Sequence, residues 1–143
     1  MLKGIDPILN ADVLYALRAM GHGDGIAIVD ANFPAESCAR NLVRADGLSA
    51  TRVLEAVLSV MPLDHMSDPA AVSMAVVGDP DTIPPAVADF QATIDATADR
   101  PCVIGMVERF AFYDKAREAY AIVQTGEQRL YGNVLLTKGV VQS

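Results

Sequence analysis

Gly21-His22-Gly23-Asp24-Gly25-Ile26-Ala27-Ile28-Val29-Asp30 is the stretch on which the fold turns. Four apolar residues in a row, without polar alternation, read as a short strand buried on both faces, as strands of a helix-covered parallel sheet are. Upstream, Asn10 is placed to cap a helix whose Val13, Leu14, Leu17 and Met20 share one face, and Gly21 falls just past its end, where a left-handed residue suits glycine. Downstream, Asp30 leaves at the strand's carboxyl end, the side on which open α/β sheets hold their ligands.

Working outward, Leu42-Val43-Arg44 reads as a brief strand before Asp46-Gly47. Ser49 caps a helix carrying Val53, Leu54, Val57, Leu58 and Met61 on its inner stripe, and Pro62 stops it. The sequence predicts a central strand over Val72 to Val77, a turn at Asp79-Pro80-Asp81, and a helix from Pro84-Pro85 to about Thr97. Val103 to Val107 reads as a strand, Phe110 to Ala119 as a helix, and Ala121 to Thr125 and Val134 to Thr137 as strands joined through Gly126-Glu127 and Tyr131-Gly132-Asn133. This alternation predicts an α/β fold, a mostly parallel sheet flanked by helices, formed by residues 1–143 as one domain.

The 143 residues suffice for a core of their own. Hydrophobic residues make up 52% and charged residues 20%, so some apolar surface is expected to serve self-association. No apolar run approaches the ~20 residues of a membrane span, and the N-terminus lacks a signal-peptide pattern, which sets a cytoplasmic address as the expectation. The net charge of −7 and the lack of a Lys/Arg cluster exclude nucleic acid as a partner. Cys38 and Cys102 have no metal-type spacing and read as reduced, structural thiols.

His22 is one of only two histidines, and imidazole alone can both give and take a proton near neutrality. Flanking glycines let a ligand approach the backbone closely, at a conformational cost. Asp24 or Asp30 can hold one ring nitrogen and fix the tautomer. A helix-terminating glycine pair with a solvated histidine is the plain alternative. As a metal site, His22 with Asp24 offers two ligands where zinc wants three or four, and His65 reads as a solvated loop residue. No nucleophile elbow and no phosphate-binding glycine loop occurs, so no metal or cofactor is expected. Arg109, at the end of a strand in Glu108-Arg109-Phe110-Ala111-Phe112-Tyr113, can reach into a site. Tyr131-Gly132-Asn133, with a phenol, a flexible glycine and an amide, suits either a plain turn or a polyol.

Taken in order, Gly21-His22-Gly23-Asp24 with Asp30-Ala31-Asn32-Phe33-Pro34, Arg44-Ala45-Asp46-Gly47, Arg109-Phe110-Ala111-Phe112-Tyr113 and Thr125-Gly126-Glu127 with Tyr131-Gly132-Asn133 resemble the ribose pyranase and fucose mutarotase family, RbsD/FucU. The resemblance spans nearly the whole chain. It implies a ring-shaped homo-oligomer, a decamer in form, with monosaccharide sites near subunit contacts and no cofactor. It implies acid/base interconversion of sugar anomers, with His22 as the catalytic acid and Asp30, Arg109, Tyr131, Gly132 and Asn133 as substrate contacts. With too few ligands for a metal, Asp24 reads as support for the loop. The phenylalanine-rich segment, where ribose-type members carry a histidine, and Gly132, where they carry alanine, favour the fucose type. A sugar-binding or transport-accessory protein that catalyses nothing is the alternative, because the same groups bind a polyol whether or not it reacts.

Overall fold

A computed structural model describes residues 1–143, ordered as α1 (Ala11–Ala19), β1 (Gly25–Val29), α2 (Ala35–Cys38), β2 (Leu42–Ala45), α3 (Ala50–Leu58), β3 (Ala71–Met74), α4 (Pro85–Thr97), β4 (Gly105–Val107), α5 (Arg109–Glu118), β5 (Ala121–Thr125) and β6 (Val134–Thr137). The caps read from the sequence form as expected. The Asn10 side chain accepts from the Val13 amide at 2.9 Å, and Ser49 does the same for Arg52 at 3.1 Å, each satisfying an amide that the first turn leaves unpaired.

The strands make one sheet in the order β2-β5-β1-β6-β3-β4. β1 pairs parallel with β5, β2 with β5 and β3 with β4, whereas β6 runs antiparallel to both β1 and β3. The sheet is thus mixed, although mostly parallel. The loop after β5 holds no helix, so it cannot make the long crossover that a parallel return requires. Instead residues 126–133 pass over the carboxyl end of β1, which lies between β5 and β6. That passage brings Tyr131, Gly132 and Asn133 against Asp30.

Helices cover both faces, which is why β1 is apolar at every inner position. Ile26 and Ile28 join a cluster of 28 buried residues with side chains from α1, α3 and α4, including Val13, Leu54 and Phe90. Ala27 and Val29 face a smaller cluster of 12, with Phe33, Phe112 and Ala116. The first face therefore carries most of the apolar burial that drives folding.

Several boundaries differ from the sequence reading. β3 ends at Met74 rather than Val77, because the partner strands end there. Beyond it the Val77 amide leaves the ladder and donates to the Tyr131 hydroxyl at 3.1 Å. β4 is limited to three residues, and Val103 lies exposed outside it. The four-residue helix α2, in a segment read only as polar, fits beneath α5 by burying Ala35 and Cys38. Gly21 is not the left-handed residue after α1; Gly23 is, with φ +90°. Near the end of α1 the carbonyls of Leu17 and of the capping residue Met20 accept from the Lys138 ammonium at 2.7 and 2.6 Å.

Candidate active site

The expected site residues fall at two opposite edges of the sheet. Asp30, Arg109 and Tyr131 to Asn133 lie where β1, β3, β4 and β5 end and β6 begins, and His22 lies where β1 begins and β6 ends. With about 3.3 Å per strand residue, the four steps from Gly25 to Val29 separate these edges by roughly 13 Å of backbone.

At the Asp30 edge nearly every polar atom is tied to main chain. The Asp30 carboxylate accepts from the amide of Asn32 at 3.0 Å and that of Gly132 at 3.2 Å, while its own amide donates to Asn133 Oδ1 at 2.9 Å. Burial pushes the Asp30 carboxyl above its ordinary pKa, against the pull of these amides. Thr125 Oγ1 donates to the Val29 carbonyl at 2.8 Å, and the Ala31 amide donates to the Glu127 carbonyl at 2.9 Å. Gln124 Nε2 holds the Phe33 carbonyl at 2.9 Å. Of these supports Gln124 did not stand out in the sequence, because it is polar only in relation to a strand end that the fold supplies.

The Tyr131-Gly132-Asn133 turn works differently from the reading of a flexible glycine. Tyr131 is the residue with positive φ, +58°, and the only non-glycine so held. Such backbone strain in a bulky residue needs support from its surroundings and is concentrated at functional sites. Gly132 is required for space: a Cβ there would meet Glu127 Cγ at 2.7 Å and the Arg129 carbonyl at 3.1 Å. Glu127 cannot move aside readily, because Arg129 and the amides of Gln128 and Arg129 hold its carboxylate. Arg129 in turn reaches Asp89 on α4 and Thr51 on α3.

Arg109 opens α5 beside this turn. Its Nε donates to the Tyr113 hydroxyl at 3.2 Å, and its guanidinium lies 5.4 Å from the ring centroids of both Phe110 and Tyr113. Glu108 caps α5 through the amides of Phe110 and Ala111. An open groove of about 370 Å³ runs beside Arg109, walled by Ala75 to Gly78 and Met106.

At the opposite edge the His22 ring pairs with neither Asp24 nor Asp30. Nε2 lies 2.9 Å from Oδ1 of Asp64, a residue 42 positions away in sequence. Asp24 is turned back instead, accepting from the Gly21 amide at 2.8 Å, and Asp30 is at the other edge. The histidine side chain is 41% exposed and the aspartate 4%. Asp64 also accepts from Ser67 Oγ at 2.6 Å and the Met66 amide at 3.2 Å. Led by the Ser67 hydroxyl and then by His22, these donors hold its carboxyl well below the usual carboxylate range. His65 next to it is exposed, and no third ligating side chain joins His22 and Asp64. A cleft of about 290 Å³, lined in part by Gly23, Gly25 and Thr137, borders this edge.

A helix-covered, mostly parallel mixed sheet, with a buried carboxylate set among main-chain amides where β1 ends, defines an α/β protein of this architecture. Residues 3–141 match the RbsD / FucU transport protein family, and the chain belongs to it. It is 43% identical to the fucose mutarotase of Homo sapiens over 98% of this chain and 94% of that protein. The fucose mutarotase of Streptococcus pneumoniae, solved in complex with L-fucose, superposes with a TM-score of 0.91 at 40% identity, covering 99% of this chain and 100% of that one. Bacillus subtilis RbsD, complexed with D-ribose, shares the fold at a TM-score of 0.76 and 20% identity over 99% of this chain and 100% of that one.

Proposed function

We propose that this protein is a mutarotase interconverting the α and β anomers of L-fucose, and that it acts in the cytoplasm as a ring-shaped, decameric homo-oligomer. The observation that carries the reading is full-length similarity, at 40% identity, to a mutarotase that binds L-fucose. The identity to the ribose-bound relative is half of that.

The reaction breaks the bond between C1 and the ring oxygen. The electron pair goes to that oxygen, which takes a proton, while the anomeric hydroxyl gives one up and C1 becomes an aldehyde. Rotation about C1–C2 and reclosure give the other anomer. Water alone does this slowly, so a bound sugar and one placed acid/base group suffice, without a cofactor. His22 protonates the ring oxygen and is recharged by the proton released from the anomeric hydroxyl through solvent.

Asp30 retains lone pairs for a sugar hydroxyl, Asn133 offers Nδ2, and Arg109 offers its terminal nitrogens. Tyr131 and Gly132 shape this wall, and Asp24 braces the His22 loop. One monosaccharide is too small to touch both sheet edges of one chain. The His22 edge of one subunit therefore meets the Asp30 edge of a neighbour, consistent with the surplus of apolar residues.

Saturation-transfer NMR on L-fucose tests the activity: enzyme-dependent exchange between anomers is expected, and its absence would reject it. Calorimetric binding of fucose without exchange would favour the accessory-protein reading instead.

A further inference from the structure

We propose that Asp64 is a positioning residue for the reaction: by accepting from His22 Nε2 it fixes the ring tautomer and leaves Nδ1 as the nitrogen that exchanges the proton with the sugar. The inference rests on His22 being the acid. The geometry is specific in three respects. The distance is 2.9 Å. The carboxylate is almost wholly buried while the ring it holds is part exposed, so Asp64 engages one nitrogen of a ring that solvent still reaches. Ser67 Oγ and the Met66 amide also donate to Asp64, so the acceptor is itself held in place.

A carboxylate that already receives these two hydrogens is an acceptor toward the imidazole, and Nε2 must carry the hydrogen. In neutral His22 the lone pair then lies on Nδ1. When Nδ1 takes up a proton, the negative charge beside Nε2–H stabilises the imidazolium that must form in each turnover, an arrangement by which carboxylates orient and support histidine elsewhere. The proton passes from Nδ1 to the ring oxygen as C1–O breaks, and Nε2–H remains bound throughout.

Other charges at this edge are turned elsewhere. The Asp24 carboxylate faces the Gly21 amide, and the Lys138 ammonium faces the end of α1. Arg18, in the last turn of α1, acts on Lys138. Asp64 is the one charged side chain bonded to the ring.

Two measurements test the proposal. In the unmodified protein, long-range 1H–15N spectra at alkaline pH should show neutral His22 as the Nε2–H tautomer, assigned by the signals lost in His22→Ala; an Nδ1–H tautomer would overturn it. Asp64→Asn removes the negative charge beside Nε2–H and keeps the shape of the side chain. Exchange at saturating fucose should drop about tenfold or more, with KM changed less than twofold. A folded Asp64→Asn protein with an unchanged rate would reduce Asp64 to a loop anchor. If His22→Ala keeps full exchange, the acid role of His22 fails, a result separate from the tautomer.

Discussion

The Asp30 edge and the His22 edge solve opposite problems with similar residues. At the first, an aspartate, an asparagine, a threonine and a glutamine are locked to backbone groups at the strand ends, so the surface is set on folding. At the second, an exposed imidazole on a glycine-flanked loop has one side-chain tether, to a carboxylate that is itself buried. Binding gains from rigidity, because ordering costs are met on folding rather than on association. Proton transfer gains from a ring held at one nitrogen and free at the other. On the proposed function, neither edge alone makes an enzyme.

The comparison breaks most severely at His22. Changing it to alanine should lower anomer exchange about 10²- to 10⁴-fold, the range of general acid/base contributions, while fucose affinity by calorimetry changes little. Mixing His22→Ala with Asp30→Asn subunits is the sharper experiment. If each site uses one edge from each of two neighbours, exchanged mixtures of two inactive proteins should recover roughly a quarter of wild-type activity, the statistical share of intact sites. No recovery would mean that both edges serve one subunit.

Smaller effects distinguish how the edges are built. Gly132→Ala should destabilise the protein by about 1–3 kcal/mol through overpacking against Glu127, read in urea unfolding, and should raise the KM for fucose by disturbing the amide that binds Asp30.

The two aspartates should give stability opposite pH slopes. Asp64, held below the usual range, contributes stability present above about pH 3.9 and lost as pH falls further; Asp30, pushed up by burial, contributes stability present below about pH 3.9 and lost as pH rises through its raised value. In urea unfolding, then, Asp64→Asn should cost more at pH 7 than at pH 3, and Asp30→Asn should be relatively more favourable at pH 7. Least of all, Asp24→Ala should cost about 0.5–1.5 kcal/mol by removing the acceptor for the Gly21 amide.

Much of this was legible in the sequence because it depends on neighbours along the chain. Asn10 and Ser49 announce their helices, since a cap acts within three residues. Ile26 to Val29 announces a strand covered on both faces, since burial is written in an unbroken apolar run. Asp64 could not be found that way. Its place among Leu63, His65 and Met66 looks like an ordinary loop, and its partner is 42 residues earlier. The sequence suggested Asp24 or Asp30 because proximity along the chain is all that a sequence offers.

The sequence by itself determined the alternation of helices and strands, the apolar β1 and the order of motifs that marks the family, all consequences of local periodicity and residue type. Only the tertiary structure decided that β6 runs antiparallel, because the loop over β1 is too short for a crossover. The same passage put Gly132 against Asp30 and left His22 at the far edge. Which groups meet is set by strand order and direction, and those depend on packing between segments distant in the chain.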